Sequence, residues 1–580
     1  MVKITIDGKD VIVRAGTTIL DAAKKAGIYI PTLCFLKDVN EIGACRVCLV
    51  EIDGLDRLAA ACNTLCEDGM VISTRSKRVL DARRTNVKLI LSQHNVSCAT
   101  CKRDGNCQLQ KVSKELGILD EGYEDKPQKD IWDKNSPLVR DASKCISCLR
   151  CVNVCDKVQG MHVWELNGTG QRAKVTVREG LDFSAAGCAL CGQCITHCPV
   201  GALTERDDTK KVLDFINDPD IVTVFQVAPA VRTGFFEAAG LSKEKGTEKR
   251  MVAALKAAGA DYVFSTDFSA DLTIMEEGSE LLERVKELGT AADAETEGRK
   301  FSPMFTSCCP GWVRFLKIKH PELVKNLSSS KSPQQMFGAV AKTYFAGIKE
   351  LDPEKIRCIS VMPCTAKKYE CSAEGTNVDL SITTRELGRL LRGINLEALR
   401  EEEFDSPLGS ATGAAAIFGA TGGVMEAALR TAAYILTGNN PDPDTFKDVR
   451  ADGMDKPGEK CWRETEVDVN GIKLRAAVAS GLANADALCE EIIKGSVYYD
   501  FVEIMACPGG CAGGGGQPIR DNEEAAFERG KMLYKYDAEK NIRFSHENPE
   551  ITAIYKNYFG SPLSEKAEEL LHTDQEEWKL

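Results

Sequence analysis

Twenty-five cysteines lie along the 580 residues in tight blocks, separated by stretches with few or none. The blocks are Cys34 to Cys66, Cys98 to Cys107, Cys145 to Cys155, Cys188 to Cys198, the pair Cys308 and Cys309, then Cys364, and last Cys507 with Cys511. Thiolate is a soft donor, suited to zinc, copper(I) and iron sulfide. Where thiols are kept reduced, clustered cysteines serve metals or catalysis more often than disulfides. The distribution predicts a series of discrete metal sites.

Cys34, Cys45, Cys48 and Cys62 place two thiolates on one short loop and one on each side. The spacing is close to the plant-type 2Fe–2S pattern, with a longer first gap. Cys66 is left over once these four complete a site. His94, Cys98, Cys101 and Cys107 follow; three cysteines alone leave a cubane one ligand short. His94 precedes Cys98 by one helical turn and could face the same cavity, but spacing alone leaves a satisfied core or surface histidine equally open. Cys145, Cys148, Cys151, Cys155 and then Cys188, Cys191, Cys194, Cys198-Pro199 form two bacterial ferredoxin runs. In such runs the fourth cysteine of each ligates the other cluster. One 4Fe–4S thus falls to Cys145, Cys148, Cys151 and Cys198, the second to Cys188, Cys191, Cys194 and Cys155. Several one-electron centres in a row read as a wire toward something buried.

The later cysteines say what lies at its end. They occur in Thr306-Ser-Cys-Cys-Pro-Gly-Trp312, in Met362-Pro-Cys-Thr-Ala-Lys-Lys-Tyr-Glu370 and in Glu503-Ile-Met-Ala-Cys-Pro-Gly-Gly-Cys511. A free cysteine is ordinarily a small buried hydrophobe. Four of them in three loops rich in glycine and proline, where backbone can approach closely, read instead as one cluster site. These segments resemble the three signature motifs of FeFe-hydrogenases. The cluster motifs before them, the Phe418–Arg430 segment and the tail near Ser564 to Thr573 extend the resemblance over essentially the whole chain, in the order of the large clostridial-type members.

The resemblance implies a set of roles. Cys309, Cys364, Cys507 and Cys511 would bind the 4Fe–4S half of an H-cluster. Cys511 would bridge to a two-iron subsite carrying carbon monoxide, cyanide and azadithiolate. His94 becomes a ligand, giving three accessory 4Fe–4S clusters and one 2Fe–2S. Cys308, surplus to the cubane, would exchange protons with the bridging amine, continuing through Glu277, Ser328 and Glu280 to Arg284. Glu277 and Glu280 would share a helix face; without the resemblance they read as an ordinary solvated acidic face. Lys367 would reach a cyanide, while Met362, Met505, Ala228, Pro229, Gln334 and Phe418 would wall the two-iron pocket. Taken singly, all six read as core. Departures are few: Pro508 stands where some relatives carry histidine, the stretch from Glu283 to Phe305 reads as a lengthened loop, and Cys371 is either a bystander or an oxygen-response thiol.

The elements that must hold these residues predict a multidomain chain, α+β and α/β. Its parts are a 2Fe–2S ferredoxin-like domain (1–78), a His/Cys 4Fe–4S domain (79–125), a double 4Fe–4S ferredoxin-like domain (126–209), a large α/β H-cluster domain (210–517) and a helical C-terminal segment (518–580). Alternating residues from Met1 predict two strands, followed by a helix over Thr18–Ala26 and another over Val79–Leu91. Residues 126–140 read as a polar linker. Short apolar runs at Ile221–Phe225, Tyr262–Ser265 and Cys358–Met362 read as buried strands. A net charge of −12 argues against nucleic acid or an anionic membrane as partner. Glu426 and Arg430 interrupt the most apolar stretch, and the first residues lack a signal-like apolar run, which places the chain in the cytoplasm.

The expected activity is reversible conversion of protons and electrons to hydrogen, exchanging electrons with ferredoxin or another redox protein after maturation proteins insert the two-iron unit. An alternative is the hydrogen-activating subunit of an NAD(P)-linked bifurcating complex. No Rossmann or flavin fingerprint is evident, so NAD(P) or flavin would sit on partner subunits. A non-catalytic electron-transfer subunit, or a sensor or cluster-assembly relative, would leave the three later cysteine loops or Cys308 unexplained.

Overall fold

Val2–Ile6 and Lys9–Val13 pair antiparallel, with Ile4, Ile6, Val11 and Val13 turned inward and Ile12 outside, the period-2 pattern that the sequence predicts. The computed structural model describes residues 1–119, 122–124, 126–128, 131–298, 301–450, 461–469, 471–520 and 525–578. It divides into two units, Met1–Lys157 with His162–Ala186 and His197–Arg206, and Val158–Met161 with Gly187–Thr196 and Asp207–Leu580.

In the first unit a five-stranded sheet runs in the order Lys9–Val13, Val2–Ile6, Val71–Ser73, Leu49–Ile52, Ala59–Ala60. The helix Ile19–Lys25 packs on it, started by the Thr18 hydroxyl, which accepts from the Asp21 N–H at 3.2 Å. The helix Lys77–Leu91 is capped in the same way by Ser76. Its buried stripe is Val79, Arg83, Val87 and Leu91, with Arg83 turned inward to donate to the Leu49 carbonyl at 2.6 and 3.1 Å. The expected linker over 126–140 is ordered structure from 131 onward: Trp132 lies 4.8 Å from Phe183 and 5.8 Å from Trp164 between ring centres, and Leu138–Arg140 pairs antiparallel with Leu203–Glu205. Residues 125, 129 and 130 lie outside the described residues.

The second unit holds two four-stranded sheets. One is wholly parallel, in the order Tyr262–Ser265, Val222–Val227, Ile356–Met362, Leu380–Thr383. Its strands are buried on both faces, as their unbroken apolar runs predict. The other runs Met304–Phe305, Phe501–Met505, Ile472–Ser480, Arg463–Val469, parallel except at the last pair. The carboxyl ends of five of these strands open into the Ala228–Pro229, Thr266, Thr306–Cys309, Pro363–Cys364 and Ala506–Cys511 segments, where an open α/β sheet ordinarily binds its ligands. The stretch after Glu283 is not a lengthened loop. The helix Asp267–Leu288 continues through it, and Ala291–Glu297 forms another helix behind a Thr290–Asp293 capping box. Residues 299 and 300 lie outside the described residues.

The apolar stretch near Glu426 is two helices, Gly413–Ile417 and Gly423–Thr437. No described helix is long and apolar enough to cross a membrane. Arg430 is fully buried and donates to Glu426 at 2.6 Å and to Asp537 at 2.9 Å, tying the second helix to Ala526–Glu539. Replacing Arg430 by Leu would leave Glu426 to Arg450 and Asp537 to Arg543, and a loss of roughly 1–3 kcal/mol in urea-unfolding stability is expected from the lost charged hydrogen bonds.

Candidate active site and cluster sites

The Cys34–Cys62 loop brings its four sulfurs together in two coupled pairs. Cys45 is pulled down to about 6 by the hydrogen bond from Cys34, whose own thiol is pushed up by the same bond. Cys48 is likewise lowered by Cys62, and the charges of Cys45 and Cys48 act on both Cys34 and Cys62. Arg46 at φ 53° and Gly43 at φ 62° bend the loop. Cys66 responds only to burial and to Asp21, standing apart from the four. The donor set fits a cluster of net positive iron, which would take the place of the shared protons that hold the Cys34 and Cys62 thiols up.

His94 Nδ1 lies 2.9 Å from the Lys144 carbonyl. A carbonyl only accepts, so Nδ1 carries the proton and the neutral ring keeps its Nε2 lone pair for a metal, the usual outer support of a ligating histidine. Burial holds this imidazole below its ordinary pKa. Cys107 senses the charge of Cys101. Cys145, Cys148, Cys151 and Cys198 line one cavity of about 400 Å³ of empty space. Ser147 N–H donates to Cys145 Sγ at 3.4 Å, and Val163 N–H to Cys155 Sγ at 3.3 Å, bonds of the kind that tune cluster potentials. Cys155 belongs to the first unit. Cys188, Cys191 and Cys194 belong to the second, where Leu190 N–H donates to Cys188 Sγ at 3.4 Å.

In the second unit a cavity of about 630 Å³ of empty space is lined by Cys308, Cys309, Cys364 and Cys511, with Ala228, Pro229, Gln334, Met362, Phe418 and Met505 as walls. All six wall residues named from the sequence are thus brought to one place. Cys507 lies behind the lining, within the field of Cys364 and Cys309. Burial, then the charge of the neighbouring thiolates, pushes the Cys364 thiol up to about 12 and raises those of Cys507 and Cys511. Four thiolates in an apolar cavity are unfavourable without a compensating cation, so this donor set fits a cubane. The backbone fits too: a Cβ on Gly514 would stand 2.1 Å from the Pro363 carbonyl oxygen.

Lys367 is the cation on the cavity wall. Its Nζ donates to the two Glu370 oxygens at 2.9 and 3.1 Å and to the Cys308 carbonyl at 3.2 Å. Although burial opposes its charge, the Glu370 carboxylate raises its pKa overall. Gln334 also donates to Glu370, at 2.7 Å, and to Cys371 Sγ at 3.3 Å. Sequence reasoning missed Glu370, although its place three residues after Lys367 in a short helix was a usable signal. Cys371 is therefore packed against the wall residue Gln334.

The Cys308 thiol is raised by burial and then by Glu277. Neither Glu277 oxygen has a hydrogen-bond partner among the described residues. Burial, then the charge of Glu280, push this carboxyl up to about 8, while the nearby Ser307 backbone and Ser328 hydroxyl pull the other way. Ser328 Oγ donates to Glu280 Oε2 at 2.6 Å, and Arg284 donates to Glu280 Oε1 at 2.9 Å. Exposure rises outward along this series: 0% at Glu277 and Ser328, then 13% and 29% for the Glu280 and Arg284 side chains. The acidic face is a buried one.

A second junction lies at Cys507, whose Sγ is 3.8 Å from the Cys191 carbonyl oxygen. Thr365 donates to the Leu190 carbonyl at 2.6 Å and Gln193 to the Gly513 carbonyl at 2.9 Å. A Cβ on Gly515 would lie 2.3 Å from the Cys191 oxygen, so glycine permits this approach. Thr365, Gln193 and Gly515 were not singled out from the sequence, since nothing local marks a contact between segments so far apart along the chain.

A buried four-thiolate cavity with a cysteine-ligand loop at one side and a graded chain of proton-bearing groups at the other defines a cluster-bearing redox enzyme. Residues 221–515 match the family described as iron only hydrogenase large subunit, C-terminal domain. Residues 1–77 match a 2Fe–2S iron–sulfur cluster binding domain, and 83–121 the iron–sulfur binding region of NADH-ubiquinone oxidoreductase G. Residues 136–204 match the ferredoxin-like domain of NADH-quinone oxidoreductase subunit 3, and 523–576 the iron hydrogenase small subunit. The chain is 45% identical to the NADP-reducing hydrogenase subunit HndD of Solidesulfovibrio fructosivorans, over 99% of this chain and 98% of that protein. It is 37% identical to iron hydrogenase 1 of Clostridium pasteurianum over 99% of each. A solved structure of a variant of the HydA1 FeFe-hydrogenase of Chlamydomonas reinhardtii superposes with a TM-score of 0.54 at 39% identity, covering 63% of this chain and 98% of that one. The chain belongs to the FeFe-hydrogenases. It is an oxidoreductase acting on hydrogen, with an H-cluster domain and accessory 2Fe–2S and 4Fe–4S domains.

Glu277 carries a pH signature. Its folded pKa of about 8 lies above the ordinary 4.5, so the folded chain holds a proton that the unfolded chain releases. Stability from this group is fully present below pH 4.5 and is lost as pH rises through 8. Glu277→Gln is expected to remove a fall on the order of 5 kcal/mol across that window, seen as a flatter unfolding-midpoint profile than wild type. Asp271 and Glu503, both raised to about 7 by burial, keep a residual slope in the variant.

Proposed function

We propose that this chain catalyses the reversible interconversion of two protons and two electrons with hydrogen, protons passing through Cys308, Glu277, Ser328, Glu280 and Arg284. The observation that carries this reading is the outward gradient of burial from Glu277 and Ser328 through Glu280 to Arg284, beginning beside a thiol on the cavity wall. The H-cluster, when bound, supplies the redox change and the open iron site. Cys309, Cys364, Cys507 and Cys511 would hold it. Cys308 presents a protonated thiol to the cavity, since burial and Glu277 keep it from ionising. Glu277 can take up or release that proton near neutral pH, because its own affinity is raised into that range. Ser328 relays between Glu277 and Glu280 by rotating its hydroxyl, and Arg284 holds Glu280 at the boundary with solvent. Lys367, fixed by Glu370, sets its positive charge beside the space an anionic ligand would occupy in the cavity. Met362, Met505, Phe418, Ala228, Pro229 and Gln334 keep water from that space.

Cys34, Cys45, Cys48 and Cys62, then His94 with Cys98, Cys101 and Cys107, and the two ferredoxin runs would hold the accessory clusters that the resemblance implies, one 2Fe–2S and three 4Fe–4S, and the Cys191 loop hands electrons to the Cys507 side of the site. Ferredoxin or a similar cytoplasmic redox protein would supply them, and maturation proteins would insert the two-iron unit. A second reading, the hydrogen-activating subunit of an NAD(P)-linked complex with flavin on partner chains, is favoured by near full-length identity to an NADP-reducing hydrogenase subunit. Co-purification with a flavoprotein would select it; isolation as a single chain reducing ferredoxin would select the first.

Cys308→Ser is expected to leave the infrared bands of bound carbon monoxide and cyanide in place and to lower hydrogen turnover by about 100-fold or more. Turnover within about twofold of wild type would refute the route.

A further inference from the structure

The turn that carries Ser328 is gripped on its outer edge by the end of the chain. On the inner side, Ser328 N–H donates to the Phe305 carbonyl at 2.8 Å. On the outer side, Thr573 N–H donates to the Ser329 carbonyl and Lys331 N–H to the Leu571 carbonyl, each at 2.8 Å, with Ser330 and His572 bridged antiparallel. The peptide plane between Ser328 and Ser329 is held at both ends. Its carbonyl accepts from Gln575 Nε2 at 3.0 Å, and its N–H donates to Glu280 at 3.1 and 3.2 Å. A planar trans peptide points these two groups in opposite directions, so a donor pulling on the oxygen aims the N–H at the carboxylate.

His572 completes the grip. Its Nδ1 lies 2.8 Å from Ser329 Oγ, and its Nε2 lies 3.1 Å from Glu276 Oε2. Glu276 is four residues before Glu280 on the helix Asp267–Leu288, on the same face. Tyr555 O–H and, at 2.9 Å, Leu563 N–H also donate to Glu276. One acid of this face thus anchors the tail while its neighbour one turn on receives Ser328. His572 and Gln575 are each 6% exposed and Glu276 is fully buried, so solvent screens these bonds little.

We propose that His572 and Gln575 are positioning residues for proton transfer: the Leu571–Gln575 segment sets the Ser328–Ser329 peptide against Glu280. The proposal rests on the reading that Ser328 and Glu280 carry protons outward. Neither tail residue touches the cavity, and both act through the serine turn. A peptide freed to tilt would lengthen the Ser328–Glu280 contact, and relay by hydroxyl rotation depends steeply on that length.

The test uses the full chain with its clusters. Gln575→Leu is the mild variant, because Gln575 Oε1 has no partner among the described residues and leucine removes only the Nε2 bond at similar volume. His572→Phe is the second variant. Each is expected to lower kcat about tenfold, with the Michaelis constant for hydrogen and the carbon monoxide and cyanide bands unchanged. Adding Gln575→Leu to Ser328→Ala is expected to cost less than about twofold beyond Ser328→Ala alone, since a residue acting through the serine has nothing left to position. Amide hydrogen exchange of the 327–331 peptide, measured on chain lacking the two-iron unit, should quicken in Gln575→Leu while the 304–306 strand stays protected. If Ser328→Ala collapses turnover but Gln575→Leu does not, or if the losses multiply in the double variant, the positioning role is overturned and the proton route stands. If Ser328→Ala keeps wild-type turnover, the route itself fails and this proposal with it.

Discussion

Four thiolates gathered in an apolar cavity repel one another, and the second unit is organised around making that arrangement tolerable. The cysteines come from loops at the carboxyl ends of strands in two different sheets, so no single element can bring them together. Backbone must approach backbone there, as Gly514 against Pro363 shows. The charge that remains is managed by one buried ammonium, and Lys367 is itself held in place by Glu370. Both members of that pair are needed: without the carboxylate, burial would favour the neutral amine, and without the amine the carboxylate would stand unpaired.

The same arrangement separates two kinds of traffic. Cys507 faces the Cys191 loop, and Cys308 faces Glu277, while Cys309 next in sequence lies within the field of the other three thiols. Adjacent residues in an extended segment point to opposite sides, so the pair Cys308–Cys309 can serve a proton route and a metal at once. Apolar walls then keep protons from reaching the cavity except through the thiol.

Residue type and spacing made the cysteine blocks legible as candidate metal sites, because a cluster needs soft donors at close intervals and few other structures use them. The parallel strands were legible from unbroken apolar runs, and Tyr262–Ser265 fell where expected. What the sequence did not show was polar and long-range. The 131–140 stretch reads as linker by composition, yet a tryptophan clustered with two other aromatic rings orders it. The insertion after Glu283 reads as loop by its small and polar residues, yet a capping box folds it. Glu370 and the tail's partners for the proton-route helix escaped for the same reason: each is a lone polar residue whose meaning lies in a neighbour that local pattern does not reveal.

That helix, Asp267–Leu288, explains why the tail is part of the enzyme. It places five acids in or near the interior, a heavy electrostatic load for one element. Four are matched by donors, all but one of them from elsewhere: Asp267 by Arg232 at 2.5 Å, Asp271 by Thr412 and Asn548 at 2.7 and 2.8 Å, Glu276 by Tyr555 and His572, and Glu280 by Ser328 and by Arg284 of the same helix. Asn548, Tyr555 and His572 all belong to the C-terminal segment. Among the described residues, Glu277 alone of the five has no donor within bonding geometry. Burial raises Asp271 to about 7 even with its donors, and Glu277, with none in bonding geometry, to about 8. The tail's donors hold neighbouring acids of the same helix in fixed pairs, so the proton route meets one unbonded carboxyl among them, Glu277.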